Sequence, residues 1–259
     1  MVDASPMLEG AFFALPVLVV GLLLAGLARS AGVAWGEPLV RGLDDGSSAS
    51  LPPRPLRAGI VAIVWLALTA AAALAGKLSF TTVPPTMMIA VGIGAGLALW
   101  LGLSRTGERL ARTVPLAALV GSQAFRFPLE LAMHRAMREG LMPVQMSYSG
   151  LNFDILTGAS ALLLGPFLAV RHVDYRTVHA WNAIGFLLLV NIVTIAVLST
   201  PLFRVFENEP ANTWIASFPY VWLPTVLVPA ALLGHVLIWR RLRLDRAAIR
   251  DPNHRPRPA

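Results

Sequence analysis

Residues 10–28 read GAFFALPVLVVGLLLAGLA, a run without a single charge that is closed by Glu9 on one side and Arg29 on the other. A bilayer core about 30 Å thick asks for roughly 20 apolar residues as helix, at about 1.5 Å per residue. This stretch satisfies that length alone, and the chain repeats it at residues 58–76, 85–103, 113–133, 151–170, 177–200 and 217–239. The expected fold is all-α: a polytopic integral membrane protein whose transmembrane domain, residues 1–239, is a bundle of seven transmembrane helices. The leading segment carries Asp3 and Glu9 and no basic residue, unlike the positive start of a cleaved signal peptide.

Composition excludes the alternatives. Hydrophobic residues make up 56% of the 259 positions and charged residues 14%, against about 25% charged in soluble domains. Mean hydropathy is +0.66, and a soluble chain of this length has too little interior to hide that much apolar surface. Disordered chains lack the Leu, Val, Ala and Phe that dominate here. There is no cysteine, hence no disulfide framework, thiolate metal site or cysteine nucleophile.

Lys and Arg give the expected orientation. With the N-terminus outside and the C-terminus cytoplasmic, inner segments hold sixteen of the 21 basic residues and outer segments four, Lys77, Arg135, Arg138 and Arg204. Removing one span would flip every later loop and spoil the bias. Residues 30–56, with Asp44-Asp45-Gly46-Ser47-Ser48 and then Pro52-Pro53, read as a cytoplasmic linker. Residues 240–259 read as a basic cytoplasmic tail that anionic inner-leaflet lipid attracts, at about 1 kcal/mol per basic residue. Membrane lipid thus accounts for the net charge of +7, and no nucleic-acid partner is needed. The expected location is the cytoplasmic (inner) membrane of a prokaryote.

The fourth span differs from the others. It contains Ser122-Gln123-Ala124-Phe125-Arg126-Phe127-Pro128-Leu129-Glu130-Leu131-Ala132-Met133-His134. On a helix, Ser122, Gln123, Arg126, Glu130 and His134 form one polar stripe within about 120° of arc. Arg126 lies about 20 Å up the span from Thr113 and about 12 Å below His134, too deep to snorkel. A charge there costs roughly 2.5–3.5 kcal/mol or more, so the stripe is expected to face the bundle interior with Arg126 partnered. Glu130, one turn away, is the nearest candidate. Pro128 cannot donate to the Ala124 carbonyl, which adds a kink. Buried, this stripe is either a structural pair or a ligand site in which Arg126 holds an anionic or carbonyl group and Glu130 is counter-ion or proton acceptor.

The segment entering the fifth span, through Asn152 and Asp154, carries a dense polar run. Asn152 capping the helix, with Asp154 in the first turn, is one reading; a charge network of Asp154 with Arg126 and Glu130 is the other. Asn191, Thr194, Tyr220 and Trp222 fall at similar depth in the sixth and seventh spans. Pro219, Pro224 and Pro229 argue for a broken seventh helix, or in part for an interfacial aromatic belt. The expected ligand-binding set is Arg126, Glu130, His134, Gln123, Asp154, Asn152, Asn191, Tyr220 and Trp222.

No metal site is expected. His172, His179 and His235 fall toward the other side; haem or metal held by His179 and His235 is the one option, without diagnostic spacing. The chain has no Gly-x-Ser-x-Gly elbow, phosphate loop or dinucleotide fingerprint. Gly92-x-Gly94-x-Gly96 reads as close helix packing. The sole lysine, Lys77, is in the wrong span for a retinal Schiff base. The expected function is binding or translocation of a small solute. An intramembrane enzyme acting on lipid, using Glu130, His134 or Asp154 as acid or base, is the second class. The third is a sensor or assembly subunit docked on a membrane-protein partner.

Overall fold

The computed structural model describes residues 4–30, 54–171, 173–207 and 209–250. These are mainly helical, with no strand among them. Most of the expected linker, His172 and residues 251–259 of the tail lie outside the described residues.

Helices α1 (Pro6–Ser30), α2 (Arg54–Leu74) and α3 (Thr86–Leu103) follow the first three apolar runs. Ser104 then ends α3 and begins α4 (Arg105–Thr113): its backbone N–H bonds the Trp100 and Leu101 carbonyls, and its hydroxyl accepts from Gly107 N at 3.2 Å. The fourth apolar run is three pieces where one helix was expected. Pro115 precedes α5 (Leu116–Gly121), a 3₁₀ turn spans Ser122–Phe125, and α6 is Arg126–Arg138. The reason is local: Pro128 has no N–H for the Ala124 carbonyl, and tighter 3₁₀ geometry fills the turn before it. Helices α7 (Ile155–Val170) and α8 (Tyr175–Leu198) complete the fifth and sixth runs.

The last run is also interrupted. A π-helical turn, Leu223–Leu227, leads into α9 (Val228–Arg250). Pro229 removes the ordinary donor to the Thr225 carbonyl, and the Trp65 indole N–H supplies one at 2.9 Å. Gly94 packs here, since a Cβ on it would lie 2.9 Å from the Thr225 carbonyl oxygen; Gly92 and Gly96 have open space instead. One glycine of the three does the close packing.

Four helical runs are long and apolar enough to cross a membrane: Pro6–Ser30, Thr86–Leu103, Tyr175–Leu198 and Leu223–Ala247. Gly59–Leu74 and Ile155–Val170 are shorter apolar helices. The last run is the hub, 72% buried against 28–33% for the other three. Large apolar side chains such as Ile63, Val64, Leu163 and Leu187 point outward, whereas Gln123, Arg126, Glu130, Asn152, Asp154, Asn182 and His235 are buried. Apolar outside and polar inside is the arrangement of a helical membrane protein.

At the basic end of the bundle, Arg240 and Arg241 close other helices. Arg240 Nη1 donates to the Gly102 and Ser104 carbonyls at 2.6 and 2.7 Å, and Nη2 reaches Glu108 at 3.2 Å. Arg241 Nη1 donates to the carbonyls of Ala111, Arg112 and Val114. Apart from Ser104, whose carbonyl also accepts from Glu108 N at 3.1 Å, these carbonyls lie at the C-terminal ends of α3 and α4, where helix carbonyls lack intrahelical donors. At the opposite, loop end, Glu139 accepts from both the backbone and the hydroxyl of Ser5 and from Arg135 Nε. These bonds tie the start of α1 to the end of α6 and hold the Glu139 carboxyl down at about 2.

Candidate functional site

Arg126 opens α6, and Asp154 is the residue immediately before α7. The two meet because α7 lies almost on the backbone of the preceding segment. A Cβ on Gly158 would collide with the backbone at Arg126–Phe127, and one on Gly165 would lie 2.8 Å from the Gly121 Cα. With Ala161 between them, these small residues bring the helices to near contact. Asp154 then takes Arg126 in bidentate fashion, Nε to Oδ2 at 2.6 Å and Nη2 to Oδ1.

The rest of the guanidinium is engaged as well. Nη1 donates to His235 Nε2 at 2.8 Å and toward Gln123 Oε1 at 3.4 Å, and Nη2 also approaches the Gly185 carbonyl at 3.4 Å. Arginine has five N–H groups and only donates. All five therefore have acceptors inside the protein, and His235 must accept at Nε2. Its proton sits on Nδ1, which donates to Asn182 Oδ1 at 2.9 Å, while Asn182 Nδ2 returns a bond to the His235 carbonyl at 3.2 Å. Gly185 and Gly234 make this possible. A Cβ on Gly185 would lie 3.0 Å from His235 Cε1, and Gln123 lies directly across Gly234.

Glu130 sits beside this cluster but outside the ion pair. Its Oε2 accepts from Asn152 Nδ2 at 2.6 Å, and among the described residues no protein donor reaches Oε1. Asn152 also bonds the Met146 carbonyl and accepts from Asp154 N. Asn152 thus holds the chain at the head of α7, and the Asp154 carboxylate bonds Arg126 with no capping bond of its own. Arg126, Glu130 and Asp154 border a cavity of about 70 Å³ whose other walls are mostly apolar, from α3, α6, α8 and the π turn.

The remaining expected site residues lie elsewhere. His134 Nδ1 bonds Ser147 Oγ at 2.9 Å, and its ring stacks on Tyr148. Asn191 donates to the Leu151 carbonyl at 2.8 Å. Tyr220 packs edge-on against Phe12, and Trp222 donates to the Leu66 carbonyl at 3.1 Å. None of these four lines the cavity. His179 is exposed and stacks on Tyr175, whereas His235 is fully buried with both nitrogens engaged; the two do not converge. Asn182 escaped the sequence reading, which took His235 only as a haem or metal option with His179. Their signal was two side chains able to hydrogen-bond inside apolar runs, facing each other only once the helices pack.

The profile of a family described as a domain of unknown function, DUF8737, matches residues 79–243. The chain belongs to this family. No curated protein and no solved structure matches it. The DUF8737 segment contains every residue of the cluster, from Gln123 to His235, together with all walls of the cavity.

Proposed function

We propose that this protein crosses the cytoplasmic membrane of a prokaryote seven times, N-terminus outside, and binds or translocates a small solute at the Arg126–Asp154–Glu130 group. The topology reading is supported by sixteen inner against four outer basic residues. On it, the fourth span is the composite of α5, the 3₁₀ turn and α6, and the fifth is the short α7. One observation carries the function: ionisable side chains 1–4% exposed border a cavity with otherwise largely apolar walls, in the half of the bundle near the loop end. Ionisable groups at membrane depth are costly and commonly mark ligand or ion sites.

The enzyme reading required Asp154 or His134 in hydrogen-bond reach of Glu130. Asp154 is committed to Arg126 and His134 to Ser147, so no acid–base pair supports it. The assembly-subunit reading would gain from an outward stripe, whereas Gln123, Arg126 and Glu130 are buried.

The test is thermal melting of the purified protein against a panel of small ions, metabolites and lipids. A ligand at about 100 times its Kd stabilises by about 2.7 kcal/mol, which moves the melting temperature of wild type by several degrees. The same ligand leaves folded Glu130→Gln unmoved. A broad panel that shifts nothing removes this reading.

A further inference from the structure

The inference rests on the binding site proposed above and concerns what it takes. A ligand must use whatever polar capacity the protein leaves open. Arg126 leaves none, because every N–H already has an acceptor. Both Asp154 oxygens are on Arg126. His235 is bonded at both nitrogens. Two acceptors bordering the cavity remain without donors: Glu130 Oε1, and Asn212 Oδ1, a fully buried atom with no hydrogen-bond partner. Neither Arg126 nor His235 leaves a donor open.

Charge points the same way. Arg126 and Asp154 cancel, and no salt bridge reaches Glu130 among the described residues. A cation seated at Glu130 would supply the counter-ion that its carboxylate lacks. The walls are largely side chains such as Met88, Leu189, Ile192 and Leu227. About 70 Å³ is well short of the about 150 Å³ that takes a benzene, room for a head group and the first carbons of an alkyl chain. Helix α3 packs on the π turn and α9, and α8 packs on α9; both α3 and α8 line the cavity.

We infer that the cavity takes a small lipophilic ammonium ion, its N–H groups on Glu130 and its apolar body between α3, α8 and the π turn. Arg126 is then a positioning residue that holds Asp154 and the head of α7 in place.

The experiment measures binding of three matched probes, n-hexylammonium, 1-hexanol and hexanoate, to the full-length protein in detergent by calorimetry and melting temperature. The expected order on wild type is ammonium tightest and hexanoate weakest. Folded Glu130→Gln weakens hexylammonium by about tenfold or more, the scale of one charge-assisted hydrogen bond, and leaves hexanol unchanged. Val193→Trp, which fills the cavity from α8, weakens both. If hexanol or hexanoate binds wild type as tightly as the ammonium, or if folded Glu130→Gln keeps its affinity, the inference is overturned while the cavity stands as a site for another class. If no probe binds and Val193→Trp changes nothing, the site reading falls with it. Should Glu130→Gln not fold, the ranking of the three probes on wild type decides the class.

Discussion

Arg126 and Asp154, 28 residues apart in sequence, form a two-bonded ion pair almost entirely sealed from the surroundings, with side chains 1% and 5% exposed. Breaking a buried pair by removing one partner costs about 3–5 kcal/mol, because the other charge is left uncompensated. Arg126→Met and Asp154→Leu singly are each expected to lower the melting temperature strongly, and the double variant to recover much of the loss. Simple additivity in that cycle would rule out the pairing. Glu130→Gln is expected to be far milder, since its carboxylate accepts one hydrogen bond that an amide oxygen also accepts.

Three glycines of α3 separate packing from propensity. Gly94→Ala places a Cβ 2.9 Å from the Thr225 carbonyl oxygen and is expected to destabilise by about 1–3 kcal/mol through overpacking. Gly92→Ala and Gly96→Ala meet open space and are expected to be neutral, or to stabilise by up to about 1 kcal/mol from helix propensity. Melting curves of the three variants give the ranking; equal effects at all three positions would contradict the close contact.

The Trp65 indole bonds the carbonyl that Pro229 leaves without its ordinary donor. Trp65→Phe is expected to cost about 1–2 kcal/mol. In a Pro229→Ala background the backbone N–H returns, and the cost of Trp65→Phe shrinks. A cycle over the two sites measures that coupling, and independence of the two substitutions would show that the indole is not standing in for the backbone.

The basic end divides into two roles. Arg240→Ala and Arg241→Ala strip the carbonyl caps of α3 and α4 and are expected to lower stability by about 1–3 kcal/mol each. Arg243 is exposed, and Arg243→Ala is expected to leave the melting temperature unchanged. Its contribution appears instead as weaker anionic-lipid association in a lipid-retention assay. Loss of stability in all three variants alike would remove the distinction.

Acid should release the start of α1. The bonds from Ser5 and Arg135 depress the Glu139 carboxyl from its ordinary 4.5 to about 2 in the folded protein. A group held below its unfolded value stabilises fully above about 4.5, and that contribution fades as pH falls toward 2. Wild type should therefore melt higher than Glu139→Gln near neutrality, with the gap closing between pH 4.5 and 2. A gap independent of pH over that range would exclude the carboxylate as its source.

Apolar run lengths made the helices legible in the sequence, and the isolated depth of Arg126 made its need for a partner legible. The choice of partner was not. Glu130 is near in sequence, but helix geometry places Arg and Glu in the less favourable order at that spacing, and the close approach of Gly158 supplies Asp154 instead. The partners of His235, Arg126 and Asn182, were hidden for a similar reason. The sequence places His235 only toward the basic end of the last span, whereas its burial against Arg126 depends on how α6, α8 and α9 pack. The breaks before α6 and α9 were visible as Pro128, Pro224 and Pro229. Their outcomes, a 3₁₀ turn in one case and a π turn in the other, depend on neighbouring helices that no local window contains.

Gly158, Gly185 and Gly234 belong to three different helices, and each faces a group where a side chain would collide. Together they behave as the notches of a key. Turning a helix by one residue rotates it about 100° and replaces the notch with a Cβ. Helices that enter a bilayer first and associate afterwards have many partners to try in the plane of the membrane. Only the docking that brings all three notches around the guanidinium lets the last polar groups leave their solvation together. A misregistered bundle would leave Arg126 and Asp154 buried without each other, at a cost of about 3–5 kcal/mol.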